Sequence, residues 1–404
     1  MKQNVGTPKF YIDYLSYWQL KGRVVGVGHP VPGEGFDGEW GETVIVDDVV
    51  QSLAGHWAGA VGHRPSLIGL NPRDFILEDF SYIPHKYITV TLDSEEPLPD
   101  VPSTGDSHYW FGVLNHSLYS SNTRISGFNL DDDTFFGSSG EYDEDDWEEI
   151  VNMQIDGYDR CKYNGFSLAK LTAESSPTSG GGIANITYKF DLRPALFNNT
   201  LELKESLLGS LGFGVAYQLP QSPELSLTLI REYEGTKTQE TKGGTTLTQV
   251  NYDGPPSWGP WGPWALGQDA PLPDQVSGLN PKDISRGRRT WQLKFSHMST
   301  SDLFPVNEMY NRNTGNFFDS ETSDYSADDF DDDNAVAFNK SGVSFMQTVV
   351  GMTMGGAIPF IFQPNSNDNT PQGFAICTFD SDTLKLKQVA PNVYDIALKI
   401  REVW

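Results

Sequence analysis

Catalysis needs nucleophiles, acid–base groups or metal ligands at set spacings, and this chain offers few such patterns. Its seven histidines (His29, His56, His63, His85, His108, His116 and His297) form no His-x-His or His-Glu-x-x-His arrangement. No Gly-x-Ser-x-Gly elbow presents a serine. Val24-Val25-Gly26-Val27-Gly28-His29 lacks the third glycine of a phosphate cradle and runs into a proline. The 54 acidic residues give carboxylate pairs at every separation, so the spacing that glycoside hydrolysis needs selects no two of them. Cys161 and Cys377 stand far apart, without a metal-type Cys/His spacing, and Cys377 alternates into a strand as a free core thiol would. The expectation is a protein that is not an enzyme, with no cofactor and no metal centre.

Three kinds of stretch can bind without reacting. Asp328 to Asn334 is dense in the oxygen ligands that Ca²⁺ takes, but the EF-hand template fails. Counted from Asp329, its glycine and glutamate places hold Asn334 and Lys340. Asp131-Asp132-Asp133 and Glu141 to Glu149 fail it too, so these runs read as solvated loops with weak divalent binding at most. Trp258, Trp261 and Trp264 recur in a Trp/Gly/Pro loop. Their indoles are candidate glycan or partner contacts, or they pack on their own sheet. Arg286, Arg288 and Arg289 form the densest positive patch of an acidic chain, a candidate inter-subunit salt-bridge patch or a strand start with snorkelling arginines.

The formal net charge of −26 opposes direct nucleic-acid binding and docking on anionic membranes. The first residues, Met1 to Gly6, lack the apolar core of a signal peptide, and no apolar run approaches spanning length, so membrane insertion is not expected. With 404 residues, the chain is long enough for two or three domains with real cores. Its 40 glycines, 25 prolines and 12% aromatics favour turns and sheets over long helices.

The elements follow from periodicity. Thr290 to Ser296 alternates, with Trp291, Leu293 and Phe295 on one face and Gln292, Lys294 and Ser296 on the other. The run from Val393 to the end alternates likewise through Tyr394, Ile396, Leu398 and Ile400. Phe10 to Trp18 fits a short helix or a strand. Glu240 to Thr245, with two glycines, reads as a hairpin turn. Ser344 and Gln347 resemble a capping box that opens the single expected helix, with Phe345, Val349 and Met352 on one face and Gly355-Gly356 at its stop. Three sections result: a β-rich 1–100, a β-rich 107–202 with an acidic loop, and a C-terminal β-sandwich over 205–404.

From about Gly212 onwards the chain resembles virion structural proteins of marine tailed bacteriophages. The stretches that carry this are Gly235 to Thr241, Ser285 to Trp291, Gly355 to Pro364 and Leu398 to Trp404, together with Val5 to Tyr11 near the start. Their order also resembles the β domains of distal-tail and minor-tail proteins. The resemblance implies a tail or tail-tip protein that assembles as a homo-oligomeric ring with other virion proteins, formed in the host cytoplasm and located in the particle. It implies no catalytic residues. A carbohydrate-binding host-attachment protein and a capsid decoration protein are the alternatives. The expected fold is mainly β, with β-sandwich or jelly-roll-like domains, long acidic loops and one short helix.

Overall fold

The computed structural model describes residues 5–28, 67–70, 76–78, 85–96, 101, 106–116, 118, 123–129, 147–152, 165–171, 183–192, 206–224, 228–232, 236–250, 288–304, 344–380 and 384–403. The architecture is mainly β. In chain order the strands are β1 (Lys9–Asp13), β2 (Val24–Gly28), β3 (Ile76–Glu78), β4 (His85–Glu96), β5 (His108–His116), β6 (Thr123–Asn129), β7 (Trp147–Val151), β8 (Gly165–Leu171), β9 (Ile183–Leu192) and β10 (Ser206–Leu208). They continue as β11 (Leu211–Gln218), β12 (Thr228–Glu232), β13 (Thr236–Glu240), β14 (Thr246–Val250), β15 (Arg288–Ser299), β16 (Phe360–Gln363), β17 (Ala375–Phe379), β18 (Lys385–Ala390) and β19 (Val393–Glu402). Helix α1 (Tyr14–Leu20) follows β1, and α2 (Thr300–Leu303) follows β15.

One 11-stranded sheet runs β12-β15-β19-β17-β16-β1-β11-β5-β8-β7, with β18 also on β19. Its pairings are all antiparallel. Strands from all three expected sections hydrogen-bond within it. β1 lies at the join: Phe10 pairs Tyr217 of β11 on one side and Phe362 of β16 on the other. Every residue of β1 is buried, which explains why its sequence shows no polar–apolar alternation. Phe10 packs its ring 5.2 Å from Phe362, 5.6 Å from Phe360 and 5.8 Å from Phe345. Tyr11, on the opposite face, meets Trp110 edge-on at 5.8 Å and Phe374 at 6.0 Å. Its hydroxyl donates to Gln363 Oε1 at 2.9 Å, as a buried phenol must. Gln363 in turn donates to the Asp368 carbonyl and to Asn369 Oδ1, both at 3.0 Å.

The Phe10–Trp18 run resolves into both of its readings, a strand and then a helix. Asp13 makes the switch. Its extended backbone ends β1, and its carboxylate caps α1 by accepting from the Ser16 N–H at 3.1 Å. α1 buries Tyr14, Leu15 and Trp18, with Trp18 stacked on Phe213 of β11. It closes in a Schellman motif: Arg23 N–H donates to the Trp18 carbonyl, Gly22 N–H to that of Gln19, and Gly22 has φ 71°.

A four-stranded antiparallel sheet, β2-β4-β9-β6, faces the large one. Ile88, Val90, Ile186, Tyr188 and Phe190 are buried in it. Tyr188 sets its ring 6.3 Å from Phe111 of β5 and donates to the Gly212 carbonyl of β11 at 2.9 Å. The two sheets thus form a β-sandwich with a largely aromatic interior.

The alternation expected over Thr290–Ser296 holds: Trp291, Leu293 and Phe295 are buried, while Gln292 and Lys294 are exposed. Beyond it a bulge intervenes. His297 takes φ 60°, the register with β19 shifts between Phe295 and Met298, and Met298 returns to the core. The expectation of one short helix is corrected to several short helical segments: α1 and α2 stand beside it. The helix that was expected is a π-helix, Phe345–Gly351, whose Ser344 cap accepts from the Gln347 N–H at 3.3 Å. Met352 N–H reaches the carbonyl of Gln347, five residues back; the segment ends at Gly351, and the expected stop Gly355-Gly356, at φ 70° and 101°, falls instead in a separate 3₁₀ turn, Met354–Gly356.

Gly214 is where β11 comes closest to β1. A Cβ there would lie 1.9 Å from the Ile12 carbonyl oxygen, which is backbone and cannot move aside. Gly355 has open space around its Cβ position and a positive φ. Gly214→Ala should therefore cost about 3 kcal/mol or more in urea unfolding, and Gly355→Ala about 1 kcal/mol. Equal costs would show that β1 does not pack on β11 in this way.

Candidate functional site

Among the described residues, those that could do chemistry fall into three polar groups, a buried carboxylate and one exposed ribbon. The first group lies at one end of the large sheet. Lys9, only 4% exposed, sets its amine 2.8 Å from Asp106 Oδ2. Lys170 of β8 lies 2.8 Å from Glu148 of β7 and 3.9 Å from Asp106. His108 donates from Nδ1 to the Asp106 carbonyl at 2.8 Å, which leaves Nε2 a buried acceptor with no hydrogen-bond partner among the described residues. The His108 contact and the Lys9 amine hold the Asp106 carboxyl well below the usual carboxylate range, and burial pushes His108 down. Five side chains from four strands and a turn form an ionic clasp across the sheet end. The sequence carried one faint trace of it, a lysine set against an aromatic run.

The second group is a serine–histidine contact. His116 Nε2 lies 2.8 Å from Ser167 Oγ, and both residues are wholly buried. Leu118 N–H donates to His116 Nδ1 at 3.3 Å, so that nitrogen is the acceptor and the ring proton sits on Nε2. His116 therefore donates to Ser167, while Ser167 donates to the Asn152 carbonyl at 3.0 Å. An activated serine needs the opposite direction, with its proton aimed at a bare imidazole nitrogen. This is a structural network, and burial lowers the His116 pKa to about 3.

The third group gathers around Arg289 on β15. Its guanidinium binds Glu402 of β19, with Nη2 2.9 Å from Oε1 and Nε 3.1 Å from Oε2. Nη2 also donates to the Phe374 carbonyl at 2.6 Å, and the group lies 5.3 Å from the Trp291 ring centre. Glu402 is 3% exposed and also accepts from the Arg289 N–H at 2.8 Å. Arg289, expected as a candidate for an inter-subunit patch, is thus paired within the chain, with a carboxylate from the neighbouring strand. Arg288 lies beside it, partly buried, while Arg286, Trp258, Trp261 and Trp264 lie outside the described residues. The acidic runs 131–146 and 319–334 lie outside them too. Cys377 is a buried free thiol, as expected, and Cys161 is outside.

Asp13 joins these as a buried carboxylate. It accepts from Ser16, through both N–H and hydroxyl, and from the Phe213 N–H at 3.1 Å. Burial outweighs these bonds and raises its pKa to about 6.

The ribbon β13–β14 differs from all of these. Its turn uses a positive φ at one of the two expected glycines, Gly244 at 79°, with Thr241 and Thr245 bonded across it. From Thr238 to Gln249 every residue is exposed except Thr241, which is half-buried, so both faces of the ribbon are open. Leu247 is 56% exposed. β18 is also exposed, but Lys385 and Lys387 blunt it as lysines blunt sheet edges. Among the described residues, no group of three or more His, Cys, Asp or Glu comes together to hold a metal ion, and no helix is long and apolar enough to cross a membrane.

Two substitutions read this chemistry. Arg289→Met strands a buried carboxylate and should cost about 3–5 kcal/mol, whereas adding Glu402→Gln should recover most of that loss in urea unfolding. No recovery would mean that Arg289 acts through packing alone. Asp13 has a folded pKa of about 6 against 3.8 in its ordinary state. Its contribution is therefore most favourable below about pH 4 and falls by about 3 kcal/mol as the pH rises towards 6. Asp13→Asn should gain on the native chain by up to that amount between pH 4 and pH 7.5. His116, whose lowered pKa weakens the fold as the pH drops below 6.5, acts equally in both proteins and cancels. A constant difference across that range would show that Asp13 does not titrate there.

Comparison with known protein families, with curated proteins and with solved structures finds no match for this chain.

Proposed function

We propose that this chain is a non-enzymatic structural component of a tailed bacteriophage particle, a tail or tail-tip protein that assembles with copies of itself and with other virion proteins. The observation that carries this reading is the Thr236–Val250 ribbon, open on both faces at Thr238–Gln249, in a chain whose large sheet closes its buried Arg289 and Glu402 on each other. A two-stranded hairpin alone is marginal in water, so an exposed one is best supported by a neighbour. Inward-facing chemistry supports it further: the serine–histidine contact runs in the donor direction and the Arg289–Glu402 pair is closed within the chain. The sequence resemblance to virion proteins supplies the class of assembly.

Charge agrees with this. Among the described residues Lys and Arg match Asp and Glu one for one, so the whole −26 falls on the remainder. A neutral sandwich packs beside other subunits without the mutual repulsion that a uniformly charged one would meet. Mass spectrometry of purified particles should detect this chain, and electron cryomicroscopy should place it in a small symmetric copy number around the tail axis. Absence from the particles would overturn the proposal.

A further inference from the structure

The start of β5 is paired along one edge. His108 pairs Ala216 of β11, but the pairing of β5 with β8 begins only at Trp110, opposite Lys170. Three side-chain contacts close this end of the large sheet. Lys9 Nζ lies 2.8 Å from Asp106 Oδ2, the Gln218 N–H donates to Ser107 Oγ at 3.2 Å, and the His108 ring meets that of Tyr11 edge-on at 6.3 Å. A strand end bonded along one edge opens locally at far less cost than the sheet as a whole.

Of these groups, His108 is the one whose charge can change near neutral pH. Its Nδ1–H donates to the Asp106 carbonyl at 2.8 Å, so a second proton has to enter at Nε2. That atom is buried, and no acceptor faces it among the described residues. An imidazolium here would bury both a charge and an unpaired N–H, which a ring turned out to water does not. The neighbours do not cancel this. Asp106 attracts the cation, but it is 60% exposed and water screens its pull, while Lys9 of β1 repels it. Lys170 of β8 and Glu148 of β7 pair with each other at 2.8 Å. Burial holds the proton on Tyr11 of β1, and β11 faces the ring with Ala216, which does not titrate. Burial is the largest effect on His108 and, with Lys9, outweighs Asp106, so its pKa lies below the ordinary 6.5.

We propose that the Asp106–His108 turn is an acid-released latch: protonation expels the His108 ring, lifts the turn off Lys9 and Gln218, and bares the Lys9 amine and the Tyr11 ring. The β7–β8 side stays shut, since the Lys170–Glu148 pair takes no part. Closure is strongest above pH 6.5, where the ring is neutral whether shut or open, and weakens as the pH falls below it.

The test uses the full chain. Hydrogen exchange of the Gln218 N–H, corrected for its intrinsic rate, should show opening rise by up to about thirtyfold from pH 7.5 to pH 5, the factor for a ring that takes its proton only when open. The amides of β17 and β19 should not follow it. In His108→Gln, which cannot take up the proton, opening at Gln218 should be the same at both pH values. Asp13 and His116 titrate alike in both chains and cancel. Hydroxyl-radical footprinting of the native chain needs no variant: oxidation of Tyr11 should rise at pH 5, while Phe10 on the other face of β1 stays protected. Equal protection of Gln218 at both pH values, the same acid response in His108→Gln, or unchanged oxidation of Tyr11 would each overturn the latch.

Discussion

The fold depends on β1 being hydrogen-bonded along both edges. Phe10 faces Tyr217 on one side and Phe362 on the other, so a five-residue strand joins β11-β5-β8-β7 to β16-β17-β19-β15-β12. Its two faces are both committed: Phe10 enters a cluster of phenylalanines, and Tyr11 enters a pocket of Trp110 and Phe374 with its hydroxyl on Gln363. Asp13 then ties the end of β1 to α1 and to β11 through one carboxylate. Loss of β1 as a whole would part the two halves of the sheet, since β11 and β16 pair with it and not with each other.

Polar groups in this interior are arranged to satisfy one another. His116 is held in the Nε2–H tautomer by a backbone N–H, and Ser167 donates its own hydrogen bond to a carbonyl. Arg289 closes on Glu402, and the same carboxylate takes the backbone N–H of Arg289. Such networks fix a unique register across strands, because a buried charge left alone costs more than the pair contributes. The exception is His108, whose Nε2 is buried with no hydrogen-bond partner among the described residues.

What could be read from the sequence follows from how local each signal is. Trp291, Leu293 and Phe295 alternate because β15 has one wet face, and that pattern survives in the structure. β1 has no wet face, so Phe10 to Asp13 shows only density of apolar and aromatic residues and leaves strand and helix undistinguished. The Ser344 cap was legible; the π character of the helix was not, since it rests on a bond from Met352 to Gln347 that spacing does not announce. The fate of Arg289 was hidden for a different reason. Its partner is 113 positions away, and only the β15–β19 register brings them together. The clasp around Asp106 needs the register of β1, β11, β5, β8 and β7 at once.

The position of β1 in the sequence carries a consequence for synthesis. It leaves the ribosome well before β16, for which one of its two edges waits some 350 residues. Contacts that span so much chain close slowly, because loop entropy must be overcome before they form. Until β16 has been made, β1 presents an unsatisfied sheet edge that carries Phe10 and Tyr11, the kind of surface that chaperones shield and that aggregates if left open. A chain cut short before β16 would keep that edge bare, which gives the cell a built-in distinction between chains that carry both strands and fragments that carry one.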